Sequence, residues 1–158
     1  MTPREQVARA VAFFEASDDM ALLRASLEES APRVKRLVAG FLQRGTEEAI
    51  PPPADVRAAR EPATPEEAVQ CLRTMQDFSL LQSMTRAIGQ RIETMEIAAS
   101  ADFPVGVHVV VPQQRGYPAG EAALPGVVEE TGTVLQVRLD NGDTWQGPAS
   151  LARLRPAK

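Results

Sequence analysis

The apolar positions of residues 1–44 recur every three or four residues, which is the spacing of one face of an α-helix. Helix start signals divide the segment at Thr2, which precedes a proline, at the polar run 17–19, and at Pro32. Gly45 is of the type that commonly ends a helix. The pattern therefore predicts a bundle of three short helices over residues 1–44.

Prolines interrupt this pattern in residues 45–64, since Pro51, Pro52, Pro53 and Pro62 cannot continue a helix. A stretch of about twenty residues without regular structure is long for a compact domain, so it is either mobile or wrapped over a partner surface. Proline-rich stretches also bind aromatic grooves, but no PxxP repeat with flanking basic residues stands out here. We therefore interpret the segment as a linker.

Residues 65–100 contain no proline after Pro65, and a threonine, proline and glutamate at 64–67 form a helix start. One long helix is predicted, with an apolar stripe whose members include three residues spaced by seven, as in a coiled-coil seam. The stripe consists of Leu81, Met84, Ile88, Ile92 and Met95. Three short helices cannot cover its whole length, so we expect self-association through it, most simply as a dimer.

Residues 103–156 change to short valine-rich runs in which alternate positions are apolar, the pattern of β-strands. Asn141-Gly142 is the preferred pair for a type I′ hairpin, and residues 148–150 suit a single helical turn. A long loop at 112–125 separates the first two strands. Five strands are predicted, near residues 107–111, 126–130, 133–139, 144–146 and 151–154.

This order of elements resembles the small barrels of the SH3-like superfamily, including Tudor-like and KOW-like domains. The resemblance is architectural, covers residues 103–156 and rests on Val107, Val109, 126–128, 137–142, Trp145, Leu151 and Leu154. It implies a domain that binds peptides, modified side chains, nucleic acids or partner subunits. The predicted fold class is α+β: an N-terminal helical bundle with one long helix, followed by a C-terminal SH3-like five-stranded β-barrel.

Aromatic side chains narrow the choice of ligand. Peptide grooves and methyl-lysine cages are lined by several aromatics, whereas the contact surface offers only Tyr117 and Trp145. Contact with a partner protein is the remaining expectation, through these two residues with Arg138 and Glu121. Trp145 is equally well interpreted as the filler of the barrel core.

The charge of the chain argues against nucleic acid as the main ligand. With 17 basic and 21 acidic residues the net charge is −4, whereas nucleic-acid binding usually needs a positive footprint. The basic residues concentrate at Arg33, Arg36 and Arg44, which form either a solvated helix face or a contact for phosphates or an acidic partner. A transcription-associated regulator with a KOW-like barrel is therefore the alternative function.

Residues with catalytic potential are few. His108, the single histidine, lacks the spacing of a metal site, and Cys71, the single cysteine, has no neighbouring base in the sequence. No nucleophile elbow or phosphate-binding loop is present. We expect no enzyme activity, cofactor or metal, and a non-catalytic adaptor or assembly protein; an accessory subunit of an enzyme complex is a further alternative.

The cellular location is predicted from the apolar runs of the sequence and from its first residues. No run approaches the ~18 apolar residues of a membrane span, and no leader segment is recognised at the start of the chain. We expect a cytoplasmic protein that does not contact a membrane. The abundance of Ala, Arg and Pro is typical of a bacterial genome rich in G and C.

Overall fold

The computed structural model describes residues 1–45, 50–112 and 123–155. These residues form four α-helices and a five-stranded antiparallel sheet, so the fold is mixed α+β. The chain divides into two compact units, Met1–Ile92 and Glu93–Lys158, named here the helical unit and the sheet unit. None of the described helices is long and apolar enough to cross a membrane.

The first helix, α1 (Pro3–Ala16), begins where the sequence predicts, since the Thr2 hydroxyl accepts a hydrogen bond from the Glu5 amide. The second, α2 (Met20–Arg44), is continuous, so the predicted start of a third helix at Pro32 is wrong. Proline removes one hydrogen bond from a helix interior. The helix tolerates this loss because residues on both sides of the proline make tertiary contacts. Ser30 is buried, and Arg33 donates a hydrogen bond to a carbonyl of the next helix.

The predicted long helix is instead two helices, α3 (Pro65–Thr74) and α4 (Phe78–Ser100). A complete capping box of Thr64 and Glu67 starts α3, and hydrogen bonds from Thr64 and then Arg9 hold the pKa of Glu67 below its usual value. Between the helices, the Asp77 carboxylate accepts from the Leu80 amide at 3.2 Å. Asp77 thereby caps α4, which is why the helical pattern breaks without a proline or glycine.

Residues 50–64 form no helix or strand, yet they are bonded to the helices of their own unit. The amide of Ala59 donates to the Ala8 carbonyl of α1 and that of Ala63 to the Arg9 carbonyl, both at a distance of 3.0 Å. The amide of Ala54 donates to the Ser79 carbonyl of α4 at 3.1 Å. The described part of this segment therefore covers the helical unit, and its interpretation as a plain linker is wrong; residues 46–49 lie outside the described residues.

The sheet has the order β4-β3-β2-β1-β5, and all neighbouring strands run antiparallel. A 3₁₀ turn at Ala149–Leu151 connects the last two strands, where a single helical turn is predicted. The strands are β1 (His108–Pro112), β2 (Ala123–Glu130), β3 (Val134–Leu139), β4 (Thr144–Pro148) and β5 (Arg153–Leu154).

The hairpin between β3 and β4 differs in type from the prediction. A type I′ turn needs positive φ at both central residues, but in the described chain positive φ occurs only at glycines, here at Gly142 with φ 95°. The Gly142 amide donates to the Leu139 carbonyl at 2.9 Å, and the Asn141 side chain accepts from the Asp143 amide. The asparagine therefore stabilises the loop through its side chain rather than by adopting a left-handed backbone.

The sheet unit has its own apolar core, to which valines of β1, β2 and β3 contribute together with Trp145 and Phe103. Two glycines allow close contacts in it. A Cβ at Gly126 would lie 2.6 Å from the Arg138 carbonyl oxygen, and one at Gly147 would lie 2.5 Å from the Trp145 ring. Both positions therefore require a residue without a side chain.

The end of α4 belongs to the sheet unit, because Glu96 reaches the 3₁₀ turn. Its carboxylate is 3% exposed and accepts from the Ser150 amide at 2.9 Å and from the Ser150 hydroxyl at 2.5 Å. The Thr131 hydroxyl donates to the Ser100 carbonyl at 3.3 Å. These bonds join the last turns of α4 to the turn between β2 and β3 and to the 3₁₀ turn.

Replacement of Gly126 by alanine is expected to destabilise the sheet unit by about 2 kcal/mol, because the added methyl group meets the backbone of β3. Trp145, the single tryptophan, lies in that core and reports its unfolding in urea through fluorescence. Gly132→Ala is the matched control, since its Cβ meets no atom closer than 4.0 Å. Equal midpoints for the two variants would contradict the tight contact.

Replacement of Ser150 by alanine is expected to lower the free energy of unfolding of the sheet unit by about 2 kcal/mol, since the buried Glu96 carboxylate loses its hydroxyl donor. Ser150→Thr keeps the hydroxyl and is expected to restore most of the loss. Tryptophan fluorescence in urea measures both variants. A threonine variant as unstable as the alanine variant would show that the hydroxyl is not what matters.

Candidate partner-binding surfaces

The tryptophan predicted for the contact surface is buried. Trp145 is 3% exposed and packs in the core of the sheet unit, which is the second of the two interpretations given to it. A side chain buried in this way offers no area to a partner. Tyr117 and Glu121 lie outside the described residues. Arg138 is exposed, and its Nε lies 2.7 Å from Glu129 Oε1 on the neighbouring strand.

The stripe predicted for self-association is largely covered by the chain itself. Leu81, Met84 and Ile88 are fully buried, and Ile92 and Met95 are half-buried. Leu81, Met84 and Ile88 are therefore corrected to core residues, whereas self-association through Ile92 and Met95 stays a prediction. One reason is that the segment 50–64 packs on α4, where the Ser83 hydroxyl donates to the Ala54 carbonyl.

Arg33 has a structural role in the helical unit. Its guanidinium donates to the carbonyls of Leu72 at 2.7 Å and Met75 at 2.8 Å, at the C-terminal end of α3. The last carbonyls of a helix lack partners within the helix and carry partial negative charge. Arg33 therefore caps α3 and is not available to a phosphate or an acidic partner.

The other two predicted basic residues remain at the surface. Arg36 is exposed, as is Lys35 beside it. Arg44 is exposed and lies with its guanidinium 5.6 Å from the centroid of the Phe41 ring, while its Nε donates to the Gly40 carbonyl at 3.1 Å. The second half of α2 thus presents three cations to solvent.

Exposed apolar residues on the two units are the feature that sequence reasoning missed. On α2, Leu37 is 37% exposed and Leu42 is 44% exposed, although their spacing marks them as members of the apolar face. On the sheet unit, Val134 is 53% exposed and Leu151 is 49% exposed. The pattern of the sequence shows which face of an element is apolar, but it carries no signal for whether another element covers that face.

The residues with catalytic potential do not assemble into a site within the described chain. His108 is exposed at the start of β1, and no group of three or more potential metal ligands occurs among the described residues. Cys71 lines a cavity of about 410 Å³ next to the Arg9–Glu67 ion pair. Burial raises the pKa of the Cys71 thiol, which disfavours the reactive thiolate.

Comparison of the chain with models of known protein families, with curated proteins and with solved structures finds no significant match.

Replacement of Arg33 by alanine is expected to destabilise the helical unit by about 2 kcal/mol, because two carbonyls at the end of α3 lose their donor. Circular dichroism at a helix wavelength follows the unfolding in urea, and tryptophan fluorescence shows that the sheet unit is unaffected. Arg36→Ala removes the same charge from an exposed position and should change stability by less than about 0.5 kcal/mol. Similar losses in the two variants would refute the capping role.

Proposed function

We propose that this chain is a non-catalytic protein-protein interaction or adaptor protein, and that its sheet unit is a small SH3-like barrel that contacts a partner protein. The strand order supports the barrel assignment. Strands β1 to β4 form a meander, a 3₁₀ turn follows β4, and β5 returns to pair with β1. The resemblance of residues 103–156 to SH3-like domains implies this same arrangement.

The observation that carries the proposal is an apolar patch on the sheet unit, made of Val134, Pro148 and Leu151. Val134 pairs with Pro148 in the register of β3 and β4, so their side chains lie on the same face of the sheet. Leu151 follows three residues later, in the 3₁₀ turn, and is 49% exposed. We place Leu151 in the patch because it follows Pro148 by one 3₁₀ turn, in which residues i and i+3 lie on the same side. Apolar residues exposed together on one surface mark candidate sites of protein contact.

Charged residues are placed as expected for the rim of such an interface. The ion pair of Arg138 and Glu129 joins β3, the strand that holds Val134, to the neighbouring β2. Rim charges select partners and accelerate association more than they add affinity. The sheet unit therefore combines an apolar centre with polar surroundings, which favours a folded protein surface over a nucleic acid as its ligand.

The proposal is tested by capturing partners with the tagged chain from the cells that produce it. A partner protein is expected in a fixed ratio with the wild-type chain, and Val134→Lys and Leu151→Glu should each reduce its recovery about tenfold, the effect of about 1.4 kcal/mol. Val105→Lys is the matched control, because Val105 is also an exposed valine, at 64%, but is not a member of the patch. Tryptophan fluorescence verifies that the variants remain folded.

Two outcomes would count against the proposal. Recovery of the partner in full by both patch variants would refute the patch as the contact. Recovery of nucleic acid that nuclease treatment and moderate salt remove would favour the KOW-like alternative instead. A captured enzyme that loses activity without this chain would agree with the proposal and identify the chain as an accessory subunit.

A further inference from the structure

A cavity of about 410 Å³ lies in the helical unit between α1, α4 and the proline-rich segment that packs on them. Its volume is within the range of about 300–1,000 Å³ that is typical of small-molecule sites. Val11 and Glu15 line it from α1, and Ser83, Arg86 and Ala87 line it from α4. Because residues three or four apart share one side of a helix, each helix presents one continuous side to the cavity.

The wall that the proline-rich segment contributes is bonded to both helices. The Ala54 amide donates to the Ser79 carbonyl of α4 at 3.1 Å, and the Ser83 hydroxyl donates to the Ala54 carbonyl at 2.5 Å. From α1, the guanidinium of Arg4 donates to the main-chain carbonyl of Asp55. Small-molecule sites are largely formed before the ligand binds, and these bonds give the cavity such a preformed wall.

Three charged residues line the cavity, Glu15, Asp55 and Arg86. Within the described chain none of their side chains forms a hydrogen bond or an ion pair. In the cavity next to the Arg9–Glu67 ion pair, by contrast, the charges are bonded to each other at 3.0 Å. The cavity between α1 and α4 therefore offers two carboxylates and one guanidinium to a ligand.

We propose that this cavity binds a free basic amino acid, of the type of arginine or lysine. In this arrangement the carboxylate of the ligand pairs with Arg86, and its two cationic groups pair with Glu15 and Asp55. Its methylene chain packs on Val11 and Ala87, each of which is 5% exposed. A ligand with two cations and one anion thus complements two anions and one cation. This site is on the helical unit and goes beyond the proposed contact of the sheet unit.

Other classes of ligand complement the lining less well. A phosphate would meet one arginine and two carboxylates, and the carboxylates repel it. A divalent cation is disfavoured because the described residues include no group of three or more potential metal ligands. An apolar molecule would cover the three charges without giving them a partner, which is costly. A small zwitterion with an additional positive charge is therefore the ligand that the lining favours.

Isothermal titration calorimetry of the full chain with L-arginine and with L-lysine tests the proposal. Binding of one ligand per chain is expected, with affinity that falls as salt rises, because the contacts are charge pairs. L-Leucine lacks the side-chain cation and agmatine lacks the carboxylate, so each should bind at least about tenfold more weakly than L-arginine. Agmatine that binds as tightly as L-arginine would contradict the assigned contact with Arg86.

Variants of the chain assign the contacts. Arg86→Gln and Glu15→Gln should each weaken the binding of L-arginine at least about tenfold. Arg86→Gln should also abolish the difference between L-arginine and agmatine, because only L-arginine has the carboxylate. Arg60→Gln and Glu28→Gln are the matched controls, since both residues are exposed on the helical unit and neither lines the cavity. Circular dichroism in urea verifies that each variant is folded.

Two results would overturn the proposal. One is the absence of saturable binding of either amino acid at concentrations up to about 10 mM. The other is an equal affinity for L-arginine in the cavity variants and in their controls. Both results are independent of the sheet unit, because Val134→Lys leaves the cavity intact and should bind L-arginine as the wild-type chain does.

Discussion

The buried carboxylate of Glu96 is the constraint on which the sheet unit depends. Among the described residues it is the one charged side chain that is almost fully removed from solvent. A carboxylate in such a place costs several kcal/mol unless hydrogen bonds replace its lost hydration. The amide and hydroxyl of Ser150 supply two of these bonds. The end of α4 and the 3₁₀ turn between β4 and β5 must therefore keep one position relative to each other.

The same need to satisfy polar groups organises the helical unit. The carbonyls at the end of α3 receive the Arg33 guanidinium, and the start of α4 receives Asp77. Residues 50–64 have no ladder of their own, and several of their amides bond to helix carbonyls instead. Polar residues that look available for ligands in the sequence are in this way committed to the structure. The surfaces left for function are those that these bonds do not use.

The candidate surfaces show how far the sequence leads. Arg36 and Arg44 are exposed, as expected for a solvated helix face, but Arg33 was predicted together with them and bonds to α3 instead. Leu81 was assigned to a contact surface and is buried instead, whereas Trp145 was given either a contact surface or the core and lies in the core. Their residue types suit a core and an interface equally well, so the choice between the two depends on which elements pack over them. Leu42 is the opposite case, because its spacing places it on the apolar face of α2, yet its side chain is exposed.

The sequence by itself determined the features that depend on neighbours along the chain. The caps at Thr2 and Thr64, the alternation of β1 and β3, and the turn near Gly142 all arise from contacts within a few residues. Tertiary structure alone decided that α2 continues through Pro32 and that the stripe around Leu81 is covered. These outcomes depend on distant partners such as α3 and residues 50–64, whose hydrogen bonds and packing no local pattern records.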